Sequence, residues 1–242
     1  RDWVRAEFVP CGSLAKAMAI PKGVTALVGG GGKTSLLLRL AGELSRGNGR
    51  VIVTTTTHIW PPENMPVLLD PSEEKVAEAL LAQPLIAVGT LAPDGKLSPC
   101  SIPLERLAAL AEYVLAEADG SKRLPLKAPA AHEPVIPACT ALVLAVAGLD
   151  GVGKPMEQTV FRPALYGALL GETDISRPVT AGDIARVLVS PLGQRKGVPA
   201  DARFALVLNK ADDAAMKQVA DEIAEAVPEG LVEAVYNTCL KE

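Results

Sequence analysis

Four consecutive glycines followed by a lysine and a threonine, Gly29-Gly30-Gly31-Gly32-Lys33-Thr34, are the residues of this chain best suited to chemistry. Glycine lacks a Cβ, so a run of backbone N–H groups can close around an anion, and a helix starting at Lys33 adds the positive end of its dipole. In that arrangement Lys33 reaches the β- and γ-phosphates of a nucleotide and the Thr34 hydroxyl ligates Mg2+. Gly29, Gly30, Gly31, Gly32, Lys33, Thr34 and Ser35 are the expected phosphate-binding residues. An apolar β-type run, Val24 to Val28, precedes them. An amphipathic helical pattern follows, with Leu37, Leu40, Ala41 and Leu44 on one stripe and Gly47 as its cap. The bland alternative, a glycine turn that merely precedes a lysine, does not account for the strand on one side and the helix on the other.

The loop is shorter than G-x-x-x-x-G-K-[ST], because Leu27 stands where the first glycine would be. The short form resembles the phosphate loop of Mur-type ligases. It also resembles the deviant loop of nucleotide-dependent metal-insertion and protein-targeting factors, whose additional lysine is here Val28.

Two further groups follow buried-strand patterns. Glu117-Ala118-Asp119-Gly120 ends the run Tyr113 to Ala118. A carboxylate at this place can hold the water shell of Mg2+. Asp119 is the first candidate, and Glu117, two residues earlier on the same side of a strand, would assist the metal or position a water. Lys33, Asp119 and Glu117 are thus the expected catalytic set, with Thr34 and Asp119 as metal ligands. Asn209-Lys210-Ala211-Asp212 follows Phe204 to Leu208 and is similar to the N-K-x-D element of GTPases. Asp212 would accept hydrogen bonds from guanine, Asn209 would hold the loop, and the Lys210 stem would lie along the ring; adenine would leave the carboxylate without partners. The alternative is a helix start with Asp212 as N-cap and Asp213 in the first turn. Asn237-Thr238-Cys239 is the candidate for a loop closing over the base.

Thr54 to Thr57 are candidates for contact with Mg2+ or the γ-phosphate, or simply the end of a β-branched strand. Lys122, Arg123 and Lys127 form a basic cluster that would meet an anionic second substrate or offset phosphate charge, or else belongs to a solvated loop. His58, His132, Glu133 and Arg162 are open in the same way; a histidine without partners at ligand spacing makes no metal site.

The elements that must position these groups alternate between strand and helix patterns along 242 residues. That alternation predicts an α/β fold, a mainly parallel sheet covered by helices on both faces, with ligands beyond the carboxyl ends of the strands. Residues 1–242 read as one domain of the P-loop NTPase type. Within it, 1–23 form a lead-in, and 148–200 form a helical and loop insertion before the guanine-motif strand. Nearly half the residues are apolar and few are aromatic, so the core is aliphatic, as in a buried parallel sheet. The net charge of −4 argues against non-specific nucleic-acid binding. No run approaches membrane-spanning length, no signal-peptide pattern stands at the start, and Cys11, Cys100, Cys139 and Cys239 have neither metal-ligand nor redox spacing, so a cytoplasmic protein with reduced thiols is expected.

VGGGGKTS, VIVTTTTHIW, EADGSKRLPLKAPAAHEPVIP, AGLDGVGKP, FRPALYG and KGVP followed by LNKADD together resemble the selenium-dependent hydroxylase accessory protein family (YqeC type). The resemblance covers essentially the whole chain, and Glu117 to Pro137 is its most specific part. It implies a cytosolic factor for maturation of selenium-carrying molybdenum hydroxylases, working with a client enzyme or a molybdenum-cofactor-handling protein. The residues add the physical part. The expectation is a Mg2+-dependent nucleoside triphosphatase that prefers GTP. The alternatives are an ATP-dependent ligase or kinase acting on a small anionic substrate, and a nucleotide sensor that scarcely hydrolyses.

Overall fold

The computed structural model describes residues 7–8 and 13–240. In chain order the elements are β1 (Glu7–Phe8), α1 (Leu14–Ala17), β2 (Gly23–Gly29), α2 (Lys33–Arg46), β3 (Val51–Thr55), β4 (Val67–Leu69), α3 (Glu73–Ala82), β5 (Leu85–Leu91), β6 (Leu97–Ser98), α4 (Leu104–Leu110) and β7 (Tyr113–Glu117). There follow β8 (Leu126–Lys127), β9 (Thr140–Gly148), a 3-10 turn (Leu149–Gly151), α5 (Met156–Thr159), β10 (Val160–Phe161), α6 (Pro163–Leu170), α7 (Ala181–Val189), β11 (Arg203–Asn209), α8 (Ala214–Ala226) and β12 (Val235–Thr238).

Nine strands run in the order β1-β12-β11-β9-β2-β7-β3-β5-β4, every neighbour on that path parallel, and β6 beside β5 makes the tenth of the sheet. The exception to parallel pairing is β6, antiparallel to β5 across the Pro93-Asp94-Gly95 turn. β8 and β10 pair separately in parallel. The alternation of side chains along a strand sends neighbours to opposite faces. On β2, Ala26 and Val28 join Met156, Tyr166, Ile184 and Ile223, the core beneath α5 to α8. Leu27 points the other way, to Leu36, Leu37 and Leu40 of α2 and Leu14 of α1. Toward the β4 edge, Val24, Ile52, Ile86 and Val114 pack under Val76 and Leu80 of α3 and Leu107 of α4. Helices therefore cover both faces of a mostly parallel sheet, the α/β architecture compatible with a P-loop NTPase. β2 lies at its middle, between β9 and β7.

The lead-in is part of this sheet: β1 pairs with β12, and of the helix expected over Cys11 to Ile20 the structure shows Leu14–Ala17, Cys11 lying outside the described residues. The segment 148–200 shares its apolar residues with the main core. The last strand is shifted from the expected Leu231 to Tyr236: Leu231 to Ala234 is irregular chain with Val232 buried, and the ladder with β11 begins at Val235. α8 starts at Ala214, because Asp213, not Asp212, accepts the first-turn N–H of Met216 at 2.8 Å. Among the described residues no helix is long and apolar enough to cross a membrane.

α7 carries a complete capping box, with the Thr180 side chain accepting from Asp183 N at 3.2 Å and Asp183 Oδ2 accepting from Thr180 N at 2.9 Å. Thr180→Ala is expected to lower the unfolding free energy by about 1 kcal/mol in urea titration, with the m-value unchanged.

Candidate functional site

β2 hands the chain to α2 through the four glycines, and the sheet leaves no room for side chains there. Gly29 has φ +98° and a Cβ on it would stand 2.2 Å from the Val146 carbonyl oxygen; Gly31 has φ +72° and a Cβ would stand 2.1 Å from the Gly148 nitrogen. Only glycine permits both the conformation and the approach. Three of the loop's N–H groups are engaged within the protein: Gly29 donates to both Asp119 carboxylate oxygens (3.1 and 3.0 Å), Gly30 to Val146 O (2.9 Å) and Gly31 to Leu124 O (3.1 Å). The N–H groups of Gly32, Lys33, Thr34 and Ser35 have no acceptor among the described residues, and Gly32, Thr34 and Ser35 reach the surface. The open donors are thus the first turn of α2, where an anion gains both hydrogen bonds and the helix dipole. The earlier glycines fix the loop.

Lys33 is buried. Its ammonium donates to Gly29 O at 2.6 Å and lies 3.2 Å from Asp119 Oδ1 and 3.7 Å from Glu117 Oε1. Burial alone would lower its pKa; Asp119 and Glu117 outweigh burial and hold it above the ordinary lysine value. Asp119, the expected first metal carboxylate, has no exposed surface, and its oxygens are filled by Gly29 N–H, Lys33 and, at 3.0 Å, Lys127. The carboxylate beside Thr34 is Glu117, whose Oε2 accepts the Thr34 hydroxyl at 2.9 Å. Burial pushes the Glu117 carboxyl up, against the pull of Lys33 and Thr34.

The charges continue as a chain. Lys127, read as part of a surface-facing basic cluster, is buried: its ammonium donates to Gly120 O at 2.6 Å and bridges Asp119 to Glu133 Oε2 at 2.6 Å. Glu133 then takes a two-pronged contact from Arg162 (2.7 and 3.1 Å). Three cations, Lys33, Lys127 and Arg162, alternate with the carboxylates Glu117, Asp119 and Glu133, so the cluster is electrically balanced. The segment carrying Lys127 is held from outside by Gln194, whose amide donates to Lys127 O (2.8 Å), and by Lys196, which donates to Ala130 O and Ala131 O (2.8 and 2.7 Å). Neither residue stands out in the sequence, since each acts on a backbone carbonyl far along the chain.

Other expected residues divide. The hydroxyls of Thr54, Thr55 and Thr56 donate to Val88 O (2.8 Å), Glu117 O (2.9 Å) and Val135 O (2.7 Å), so they stitch the strand ends together. Asn209 comes to the glycine loop: its Nδ2 donates to Gly31 O at 2.9 Å, while its Oδ1 accepts from the Thr238 hydroxyl (3.1 Å) and Leu240 N (2.9 Å). Lys210 turns to Asp150 at 2.9 Å, a partner the sequence reading missed. Asp212 is exposed and accepts the Cys239 thiol at 2.8 Å. His58 and His132 are exposed, and no three His, Cys, Asp or Glu side chains among the described residues are grouped to hold a metal ion. The donor set beside the loop, one hydroxyl and one carboxylate, suits Mg2+ shared with phosphate oxygens and water rather than an all-protein metal cage.

Glu133 carries a pH consequence. Burial raises its pKa, but the hydrogen bonds and charges of Arg162 and Lys127 outweigh burial and hold it at about 2, against 4.5 ordinarily. A carboxyl that titrates lower in the folded state supplies stability that is complete above about pH 4.5 and is lost as pH falls toward 2. Glu133→Gln is expected to destabilise the protein at pH 7 by about 3 kcal/mol, because Arg162 loses its carboxylate and Lys127 is left with Asp119 alone, and to flatten the acid limb of a stability-versus-pH curve.

A family model described as YqeC protein matches residues 25–164, a stretch that includes the loop, both strand-end carboxylates, Lys127, Glu133 and Arg162. The chain is 31% identical over 220 residues to the uncharacterized protein YqeC of Escherichia coli (strain K12), an alignment covering 88% of this chain and 86% of that protein. Both likenesses span the charge cluster and the loop it supports, and on them the chain belongs to the YqeC family.

Proposed function

We propose that this protein binds a Mg2+-nucleoside triphosphate, with GTP preferred, and hydrolyses it to drive a step in the maturation of selenium-dependent molybdenum hydroxylases. The observation that carries the nucleotide reading is the open first turn of α2, with four unclaimed N–H groups beside Lys33 and Thr34 at the carboxyl end of the central strand. The N–H groups of Gly32 to Ser35 hold phosphate oxygens. Lys33 exchanges its contact with Gly29 O for the β- and γ-phosphates, and Asp119 keeps Lys127 as counter-ion when Lys33 moves. Thr34 and Glu117 are the residues that would hold Mg2+, which when bound neutralises phosphate charge. GTP preference is supported by Asn209, which joins the guanine-type motif to the phosphate loop. In this reading Asp212 exchanges the Cys239 thiol for the base. The partner is a client enzyme or a cofactor-handling protein of a molybdenum hydroxylase, in the cytoplasm.

The exposure of Asp212 favours a second reading, an ATP-dependent ligase or kinase acting on a small anionic substrate. Equilibrium binding of GTP and ATP with Mg2+ separates the two. Expected for the first are tighter GTP binding, at least roughly tenfold loss of either triphosphate in Lys33→Ala, and a relaxed base preference in Asp212→Asn. ATP preference, or an Asp212→Asn variant indistinguishable from wild type, would hand the site to the second reading; no binding of either nucleotide would end both.

A further inference from the structure

The four residues from Ser121 to Leu124 come just after β7 and are bonded directly to the phosphate loop, because Leu124 O accepts Gly31 N–H at 3.1 Å. Leu124 N donates back to Ser121 O at 3.0 Å, which closes a turn. Its two central residues, Lys122 and Arg123, both have positive φ, +49° and +62°. Left-handed conformations at both central positions mark a type I′ turn, the turn for which Asn-Gly is the least strained choice. Two long side chains are strained there, and strain of this kind persists where the surrounding structure enforces it and function uses it. The surroundings do enforce it. Lys127 grips Gly120 O on one side, Gly31 grips Leu124 O on the other, and the Lys122 ammonium lies 5.3 Å over the Phe161 ring.

The cations near the loop are otherwise committed. Lys33, Lys127 and Arg162 each face a carboxylate, and Lys122 rests on Phe161. Arg123 is exposed and has no carboxylate, carbonyl or ring partner among the described residues. It is one residue away from the carbonyl bonded to Gly31, and Gly31 stands two residues before the start of α2. A charge-balanced cluster gives an incoming polyphosphate no net attraction even when Lys33 turns to it, so the uncommitted guanidinium is the added charge that can meet it.

We propose that Arg123 is the in-chain cation that contacts the terminal phosphoryl group of the bound triphosphate, and that Lys122 on Phe161 fixes the turn presenting it. The inference rests on the nucleotide reading above. In hydrolysis the water oxygen bonds to the terminal phosphorus, the bond from that phosphorus to the bridging oxygen breaks, and the bridging oxygen keeps the electron pair as the diphosphate leaves. The water protons go to inorganic phosphate and solvent. Arg123 transfers no proton; its fork of N–H donors holds the negative charge that builds on the phosphoryl and bridging oxygens.

The test compares wild type with Arg123→Gly and with the double variant Lys122→Asn/Arg123→Gly, which restores the favoured turn residues. Thermal unfolding, affinity for the preferred triphosphate and its diphosphate with Mg2+, and single-turnover hydrolysis are measured. Both variants are expected to melt at or above the wild-type temperature, because strain is relieved. Both should keep the diphosphate affinity within about twofold, lose about tenfold or more in triphosphate affinity, and hydrolyse about 100-fold or more slowly. Unchanged triphosphate affinity and hydrolysis in Arg123→Gly would overturn the proposal and leave the nucleotide reading intact. So would an equal loss of diphosphate and triphosphate, which would make the turn a shaper of the site. Wild type that binds no nucleotide would overturn the reading and the proposal together.

Discussion

Asp119 is the residue on which the site's structure depends. It has no exposed surface, and its carboxylate is ringed by the Gly29 N–H, the Lys33 ammonium and the Lys127 ammonium. A buried carboxylate is tolerated only when its charge is matched and its lone pairs are filled. Here one side chain therefore ties the end of β2, the start of α2 and the segment after β7 to a single point. Replacing one of two buried lysines still leaves the other beside Asp119. That redundancy separates the fold's need for a counter-ion at Asp119 from the role proposed for Lys33.

The segment 148–200 completes the arrangement from the side. Arg162, in the left-handed region at the start of α6, reaches back to Glu133, and Gln194 and Lys196 hold the carbonyls of Lys127, Ala130 and Ala131. Its apolar residues meanwhile lie in the same core as β9 and β11. What reads in the sequence as an insertion is a buttress for the charge cluster, continuous with the body of the fold.

Sequence reasoning succeeded where causes are local. The strand before the four glycines, the helix after them, and the apolar stripe and Gly47 cap of α2 each sit within a few residues of what they control. It fell short where the cause is tertiary. Lys127 looks like a surface lysine because Asp119 and Glu133 lie in irregular chain on either side of it, and only the fold makes all three meet. The same holds for the two carboxylates after the β7 run: alternation placed them on one side, but which is walled in by lysines and which faces Thr34 depends on neighbouring strands. Leu231 to Ala234 had strand-like composition, yet Val232 is buried from irregular chain ahead of β12.

The central placement of β2 has a consequence for how the chain is born. The strand that ends in the four glycines is flanked by β7 and β9, and its loop is fixed by Asp119, 90 residues after Gly29, and by Asn209, 178 residues after Gly31. During synthesis the glycines emerge before Asp119 and Asn209, as a flexible stretch between an exposed apolar strand and a helix with one bare face. Pairings this distant in sequence close slowly, and until they do the aliphatic run of β2 is an aggregation hazard on the ribosome. The loop has all its supports only once Asn209 has been made, so a product truncated before it would carry the glycines without their shape.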